Sequence, residues 1–132
     1  GSCDDWDYGD PAIAAPVGVT APSQPVDCSA TGDVDGIIVT WTDPASWGTN
    51  GSSGNVRVWA KSEDGTFFAQ LVACVAAAAE TYTITAMVPQ GGSGPVPLRE
   101  DMYFIQVDAH NAEGMRSAPS NVFRLEVGPH VP

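Results

Sequence analysis

Apolar and polar residues alternate with a period of two along much of this 132-residue chain, which is the pattern of half-buried β-strands. In Val56–Lys61 every second residue is apolar, so one face would be buried while Trp59 and its charged neighbours line the other. No stretch keeps a helical period over three turns, and the alanine run Ala76–Ala79 is too short to nucleate a helix alone. The strands that this pattern predicts are Val17–Ser29, Ile37–Trp41, Val56–Lys61, Phe67–Cys74, Thr81–Met87, Met102–Ala109 and Asn121–Val127.

Turn residues separate these segments, and the chain contains fourteen glycines and eleven prolines. Pro22 and Pro25 have no backbone N–H to donate, so they place the first strand at the edge of a sheet. Asn111–Gly114 predicts the turn of a hairpin between the last two strands. Short strands joined by turns at these intervals predict an all-β sandwich.

The first sixteen residues differ from the rest, because charge, glycine and proline cluster there without an apolar period. We interpret residues 1–16 as a flexible acidic tether, residues 17–128 as one domain and residues 129–132 as a tail. No window has the roughly 18 consecutive apolar residues that a membrane-spanning segment needs.

The sixth predicted strand and the residues after it resemble a fibronectin type III domain. Trp41, followed by Asp43 and Pro44, resembles the tryptophan that this family carries on its second strand. Further matches in spacing are Tyr103, Ile105, Val107, Ala109, Asn111, Gly114 and Ser117–Asn121.

This resemblance covers Ala15–Val127 and implies a seven-stranded antiparallel β-sandwich of Greek-key topology. It also implies that the Tyr103 hydroxyl bonds to backbone at a corner and that Trp41 packs between the sheets. Two loops are longer than the family pattern, namely Trp47–Gly54 and Val88–Pro97. Binding residues often lie on such loops.

The three cysteines are an odd set for a chain of secreted type. Cys28 and Cys74 lie within the predicted domain, so a Cys28–Cys74 disulfide is the simplest pairing and would stabilise the fold by roughly 3–5 kcal/mol. The alternative is that both are small buried thiols. Cys3, at the head of an acidic tether, resembles the lipid-bearing cysteine of a mature bacterial lipoprotein, and such an anchor is the one membrane contact that we expect.

Residues suited to catalysis are scarce. A net charge of −11 would repel nucleic acid. The only histidines are His110, expected at the surface, and His130, and they form neither a catalytic triad nor a zinc site of known spacing. We therefore expect no enzyme activity, no catalytic residue and no metal site.

Calcium is the one cofactor that the sequence leaves as an alternative. Carboxylates, which calcium prefers as ligands, cluster in the tether and in Asp33–Gly36. Neither stretch completes a twelve-residue calcium loop, and Asp33–Gly36 serves equally well as a tight turn.

Binding is the remaining chemistry. Trp47, flanked by small residues, could anchor a partner or fold back over the rim of the core. Trp59 could form a cation–π platform with a neighbouring cation. Gly91, Gly92 and Ser93, within the second long loop, complete the candidate binding residues.

These observations favour a non-catalytic extracellular or cell-envelope module, used for adhesion or as a spacer in a larger surface protein, with a protein or glycan partner. The alternative is an accessory linker domain of a secreted enzyme such as a glycoside hydrolase. The sequence leaves the oligomeric state open, including homotypic assembly through an edge strand.

Overall fold

The computed structural model describes residues 17–49 and 54–128, and within them the fold is all-β without α-helix. The strands form where apolar residues recur at every second position, so that one side of each strand is buried. Their bounds are β1 Val26–Asp33, β2 Gly36–Thr42, β3 Asn55–Ser62, β4 Gln70–Ala76, β5 Thr81–Ile84, β6 Ala86–Met87, β7 Val96–Pro97, β8 Asp101–His110 and β9 Phe123–Val127.

Two antiparallel sheets face each other. One has the strand order β1-β2-β5 and the other β4-β3-β8-β9, while β6 and β7 form a small separate ladder. The chain passes from one sheet to the other between β2 and β3, between β4 and β5, and between β5 and β8. These crossings confirm the predicted antiparallel sandwich.

The core lies between the two sheets and is built from the apolar side of each strand. Val56, Val58 and Ala60 of β3 all point into it, as their alternation predicted. The other fully buried large apolar side chains are Ile37, Val39, Phe67, Ile84, Met87, Tyr103, Ile105, Val107 and Val127.

Tyr103 and Trp41 occupy the predicted core positions. The Tyr103 hydroxyl donates to the carbonyl oxygen of Arg99 at 2.7 Å and accepts from the Arg99 amide at 3.1 Å. Trp41 is buried in the core, and its indole N–H donates to a carboxylate oxygen of Asp43 at 2.9 Å. The predicted corner is therefore confirmed.

The described chain enters and leaves at opposite ends of the sandwich. Near its start, Thr20 accepts a hydrogen bond from the side chain of Asn111, which directly follows β8. At the other end, Val127 of β9 pairs with Asp101, the first residue of β8. The ten residues of β8 span roughly 33 Å between these two points.

Most predicted strands differ from the observed ones by one or two residues at an end, and three differ by more. The first begins at Val26 rather than Val17, because the ladder with β2 starts only after Pro25. Phe67 forms a bridge with Pro89 instead of joining β4. The predicted Thr81–Met87 strand divides after Ile84, since its last two residues pair with β7.

Two predictions about single residues are wrong. His110 is 1% exposed rather than a surface residue, because β8 ends with two consecutive buried positions and the following loop folds back on them. Cys28 is a free thiol, 2% exposed, so the predicted disulfide with Cys74 does not form.

The failure of that disulfide has a geometric cause. Cys28 points from β1 into the core, where its Sγ lies 3.8 Å from the carbonyl oxygen of Ile105. Cys74 is exposed on the opposite sheet and pairs in register with Arg57, which faces outward. A sheet therefore lies between the two side chains, and a bridge would require the backbone to move.

Candidate functional site

The solvent side of the four-stranded sheet is the first candidate site, and we call it the outer face. It is centred on Arg57, Trp59, Lys61, Phe104 and Arg124. Strand alternation places them there, because the residues between them point into the core. The antiparallel register then sets Lys61 opposite Phe104, and Phe104 opposite Arg124.

At one end of the outer face a polar network fixes Trp59. The Arg57 guanidinium lies 5.0 Å from the centre of the Trp59 ring and donates two hydrogen bonds to Asp108, at 3.1 and 2.9 Å. The Trp59 indole N–H donates to the same carboxylate at 3.2 Å. The cation–π platform predicted for Trp59 is thus present, with Arg57 as its cation.

Phe104 lies between two cations at the centre of the face. The Lys61 ammonium is 5.5 Å and the Arg124 guanidinium 5.6 Å from the centre of its ring. A groove of about 300 Å³ runs beside it, lined mainly by apolar atoms of Trp59, Phe104 and Val122. Both cations are exposed, so they remain accessible to an anionic ligand.

The charge of the outer face contrasts with that of the whole chain. The chain has five lysines and arginines against sixteen acidic residues, and three of the five, Arg57, Lys61 and Arg124, lie on this face. Sequence reasoning identified Trp59 but missed Phe104 and Arg124. The alternation in Met102–Ala109 could have placed Phe104 on a sheet surface, although not beside Lys61.

Trp47 lies at the end of the sandwich where the described chain begins. It is half-buried and packs against the core, and its carbonyl oxygen accepts from the Asn111 side chain at 3.0 Å. This position agrees with the alternative prediction that Trp47 folds back over the rim of the core. A binding role for it stays a prediction.

Gly91, Gly92 and Ser93 lie at the opposite end, in the turn between β6 and β7, and are exposed. The base of this loop is anchored, since the Gln90 amide donates to the Thr66 carbonyl oxygen at 2.7 Å. Gly91 has a φ of 79°, a conformation that favours glycine. The structure therefore separates the candidate residues Trp47, Trp59 and Gly91–Ser93 rather than gathering them into one site.

A carboxyl pair that the sequence did not reveal lies beside the tyrosine corner. Asp64 accepts from the Thr66 amide at 2.8 Å and from the Ser62 hydroxyl at 3.1 Å. That backbone hydrogen bond, and a further hydrogen bond from Asp101, hold the pKa of Asp64 well below its usual range. Burial, followed by the hydrogen bond to Asp64, raises the pKa of Asp101. The pair therefore shares one proton more readily than two isolated aspartates would.

The other acidic turn serves a structural purpose. The Asp33 carboxylate accepts from the Asp35 amide at 2.9 Å, and Asp33 pairs with Gly36 to close the hairpin between β1 and β2. Within residues 17–49 and 54–128 no group of three His, Cys, Asp or Glu side chains is arranged to hold a metal ion. Cys3, the acidic tether and His130 lie outside the described residues.

Among the described residues there is no helix of the length and apolar character that crossing a membrane requires.

Solved structures that are similar to this chain include fibronectin type III domains. A three-domain fragment of titin, A168–A170, superposes with a TM-score of 0.63 at 21% identity, over 83% of this chain and 33% of the fragment. The fibronectin type III domain of human fibronectin type III domain containing protein 3 gives 0.60 at 18% identity, over 88% of this chain and 94% of that domain. The chain thus has the fibronectin type III fold, as its sequence resemblance predicted.

Larger enzymes also contain a similar domain. A β-1,2-glucanase from Parabacteroides distasonis matches with a TM-score of 0.56 at 18% identity, over 90% of this chain but only 14% of the enzyme. The chain likewise covers only a third of the titin fragment. No protein-family model matches the sequence, and no curated protein is significantly similar to it.

Proposed function

We propose that this chain is a non-catalytic module that connects and spaces neighbouring domains of a larger extracellular or cell-envelope protein. The observation that carries this proposal is the position of the two ends of the described chain. Thr20 lies beside Asn111 at one end of β8, and Val127 lies beside Asp101 at the other. A domain entered at one end and left at the other adds its full length to the chain that carries it.

The test uses the complete protein with residues 17–128 deleted. In a second version these residues are replaced by an unrelated sandwich domain whose chain also enters at one end and leaves at the other. Deletion should shorten the separation of the flanking domains, measured by small-angle scattering, by roughly 30 Å. Replacement should leave that separation unchanged. An unchanged separation after deletion, or a reading frame without a domain on one side, would contradict the connecting role.

A second candidate function is binding of an acidic protein or glycan partner at the outer face. The concentration of three of the five cations around Trp59 and Phe104, in a chain of net charge −11, favours it. Aromatic rings beside cations suit ligands that combine apolar surface with negative charge.

Titration with acidic oligosaccharides, followed by amide NMR shifts, tests the outer face. Lys61→Gln and Arg124→Gln should each weaken binding, while Arg99→Gln, which removes a cation elsewhere, should not. Shifts confined to the loops of Trp47 or Gly91–Ser93 would place the site there instead.

The enzymes among the structural neighbours favour one version of the connecting role, in which the larger protein is a secreted enzyme. The similar region in the spore cortex lytic enzyme SleM of Clostridium perfringens corresponds to 28% of that chain, with a TM-score of 0.53. The complete reading frame decides this point. A catalytic domain beside residues 17–128 supports an accessory module, and an array of further sandwiches supports a surface protein.

A further inference from the structure

We propose that the outer face binds a linear acidic polysaccharide that lies across its strands. Sugar rings occupy the groove beside Phe104, and carboxylates that recur on every second sugar contact Lys61 and Arg124. The inference rests on the second candidate function, and it goes beyond that function because it names the class of ligand and the direction in which the ligand lies.

The cross-strand register gives the direction of the groove. Two rows of outward-facing side chains cross the sheet, two residues apart along the strands, or roughly 7 Å. In one row Lys61 of β3 lies opposite Phe104 of β8, which lies opposite Arg124 of β9. The other row includes Trp59 of β3 opposite Gln106 of β8. The groove lies between the rows, since its lining includes residues of both, namely Trp59, Lys61, Ala69, Phe104, Gln106 and Val122.

Charge favours a path across the strands over a path along them. Among the described residues that line the groove there is a lysine and no carboxylate. A ligand lying along the strands would meet exposed Glu126 at one end. At the other end it would meet Arg57, whose charge is already paired with Asp108 at 2.9 Å. The exposed cations Lys61 and Arg124 lie in one row across the strands, so an anionic chain is attracted along that row.

The spacing of these two cations favours a sparsely charged ligand. Lys61 and Arg124 are two interstrand distances apart, or roughly 10 Å between their backbones. A nucleic acid strand carries a phosphate at intervals of roughly 3.4 Å and would bring more anions than this row has cations. The excess would be repelled by a chain of net charge −11. A carboxylate on every second sugar can meet both cations without that excess.

The floor of the groove favours sugar rings over a peptide. Extended peptides bind a sheet by pairing with the backbone of an edge strand, whereas β3 and β8 are already paired with a strand on each side. A peptide lying across them would find no backbone partner for its own N–H and C=O groups in the floor. A sugar ring has an apolar face, which suits the rings of Trp59 and Phe104, and carries its polar groups at its edge.

Two side chains of the groove are held in place without a ligand. The indole N–H of Trp59 donates to Asp108 at 3.2 Å, and the side-chain amide of Gln106 donates to the Ser120 carbonyl oxygen at 2.9 Å. Side chains that are already ordered lose less entropy on binding. The volume of about 300 Å³ lies at the small end of the range for ligand sites, so the groove would hold a short stretch of the polysaccharide.

Amide NMR titration of the full chain at low salt tests the class of ligand. The main probe is a hexasaccharide that alternates glucuronate with a neutral sugar. The comparison probes are the same hexasaccharide with its carboxylates reduced to alcohols, a hexasaccharide with a carboxylate on every sugar, and an acidic hexapeptide. We expect the alternating probe to bind, and reduction to weaken binding roughly three- to twentyfold because two cation–carboxylate contacts are lost. The fully charged hexasaccharide should bind no more tightly than the alternating one.

The possible failures of this titration have different meanings. If the peptide or the fully charged hexasaccharide binds the outer face more tightly than the alternating probe, the ligand class is wrong while the second candidate function stands. If none of the charged probes shifts the amides of the outer face, the second candidate function fails as well.

The pattern of shifted amides tests the direction of binding. We expect the shifts caused by the alternating probe to extend from Ala69 to Val122 across the strands and to stop short of Asp108 and Glu126. Shifts that run from Asp108 to Glu126 and leave out Ala69 and Val122 would show that the ligand lies along the strands, which would overturn the inference.

Lys61→Gln and Arg124→Gln test the placement of the carboxylates. Each change should weaken binding of the alternating hexasaccharide roughly two- to fivefold and leave binding of the reduced one unchanged. The weakening should shrink in high salt. Arg99→Gln is the matched control, since Arg99 contacts Thr66 and Asp64 away from the groove, and it should change neither affinity. Equal losses for the charged and the reduced hexasaccharide would show that the carboxylates do not contact these cations.

Discussion

At the scale of single residues, the Tyr103 hydroxyl satisfies two backbone groups that would be costly to leave without a hydrogen-bond partner. It bonds to both backbone groups of Arg99, at 2.7 and 3.1 Å, from a side chain that is fully buried. Tyr103→Phe would leave these groups without their partner, so we expect it to lower the free energy of unfolding by about 1–3 kcal/mol in urea. Tyr82→Phe, on a half-buried residue of β5, is the matched control and should change it by less than about 0.5 kcal/mol. Equal costs at the two positions would contradict the role given to the corner.

The carboxyl pair beside that corner predicts a pH dependence at the same scale. Because burial and the bond with Asp64 raise the pKa of Asp101 above 3.8, the folded state holds this proton more tightly than the unfolded chain. The resulting stability is present below the ordinary aspartate pKa and is lost as pH rises through the raised value. Asp64, whose pKa is lowered, acts in the opposite direction, with its contribution lost on acidification. Arg99, which lies 3.4 Å from Asp64, is the facing cation.

Asp101→Asn isolates the raised group, because an amide keeps a donor towards Asp64 but cannot ionise. We expect the stability of this variant relative to wild type to increase as pH rises from the ordinary aspartate pKa through the raised pKa of wild-type Asp101, which loses its proton there. Urea midpoints at a series of pH values measure it. Asp35→Asn, in an exposed turn, controls for loss of one negative charge. A difference that stays flat with pH would refute the assignment.

At the scale of elements, the inserted loop between β6 and β7 depends on one side chain of β4. The Gln70 amide donates to the Val88 carbonyl oxygen at 2.9 Å, and its carbonyl oxygen accepts from the Val88 amide at 2.8 Å. Gln70→Ala should therefore lower the free energy of unfolding by about 1–3 kcal/mol and speed amide exchange at Val88. Gln90→Ala, an exposed change in the same loop, should have little effect on either measurement. Slow exchange retained at Val88 in Gln70→Ala would show that the loop is held by other contacts.

The sequence could predict most elements but few of their pairings. Strands such as β3 and β8 carry their period of two in full, and the resemblance located Tyr103 and Trp41. The Cys28–Cys74 disulfide failed because a cysteine's position in the chain does not reveal which side of its strand it occupies. Phe104 was missed as a site residue for a related reason. Its closeness to Lys61 depends on the cross-strand register, which the ladder determines and a single strand does not show.

At the scale of the whole molecule, the uneven charge has consequences for stability. Sixteen acidic residues against five basic ones repel one another in the compact state. Close pairs such as Arg57 with Asp108, at 2.9 Å, offset only part of this repulsion, because few cations are present. Added salt screens the repulsion over distances longer than a contact, while a half-buried pair is screened less.

We therefore expect salt to stabilise this protein at neutral pH. Raising sodium chloride from about 20 mM to about 500 mM should increase the melting temperature by roughly 2–5 °C, measured by calorimetry or circular dichroism. The same comparison near pH 4 is the internal control, since the sequence pI is about 4.1 and net repulsion should be small there. If salt raises the melting temperature equally at both pH values, a general salting-out effect explains the stabilisation. If salt lowers it at neutral pH, attractive pairs such as Arg57 with Asp108 outweigh the net repulsion.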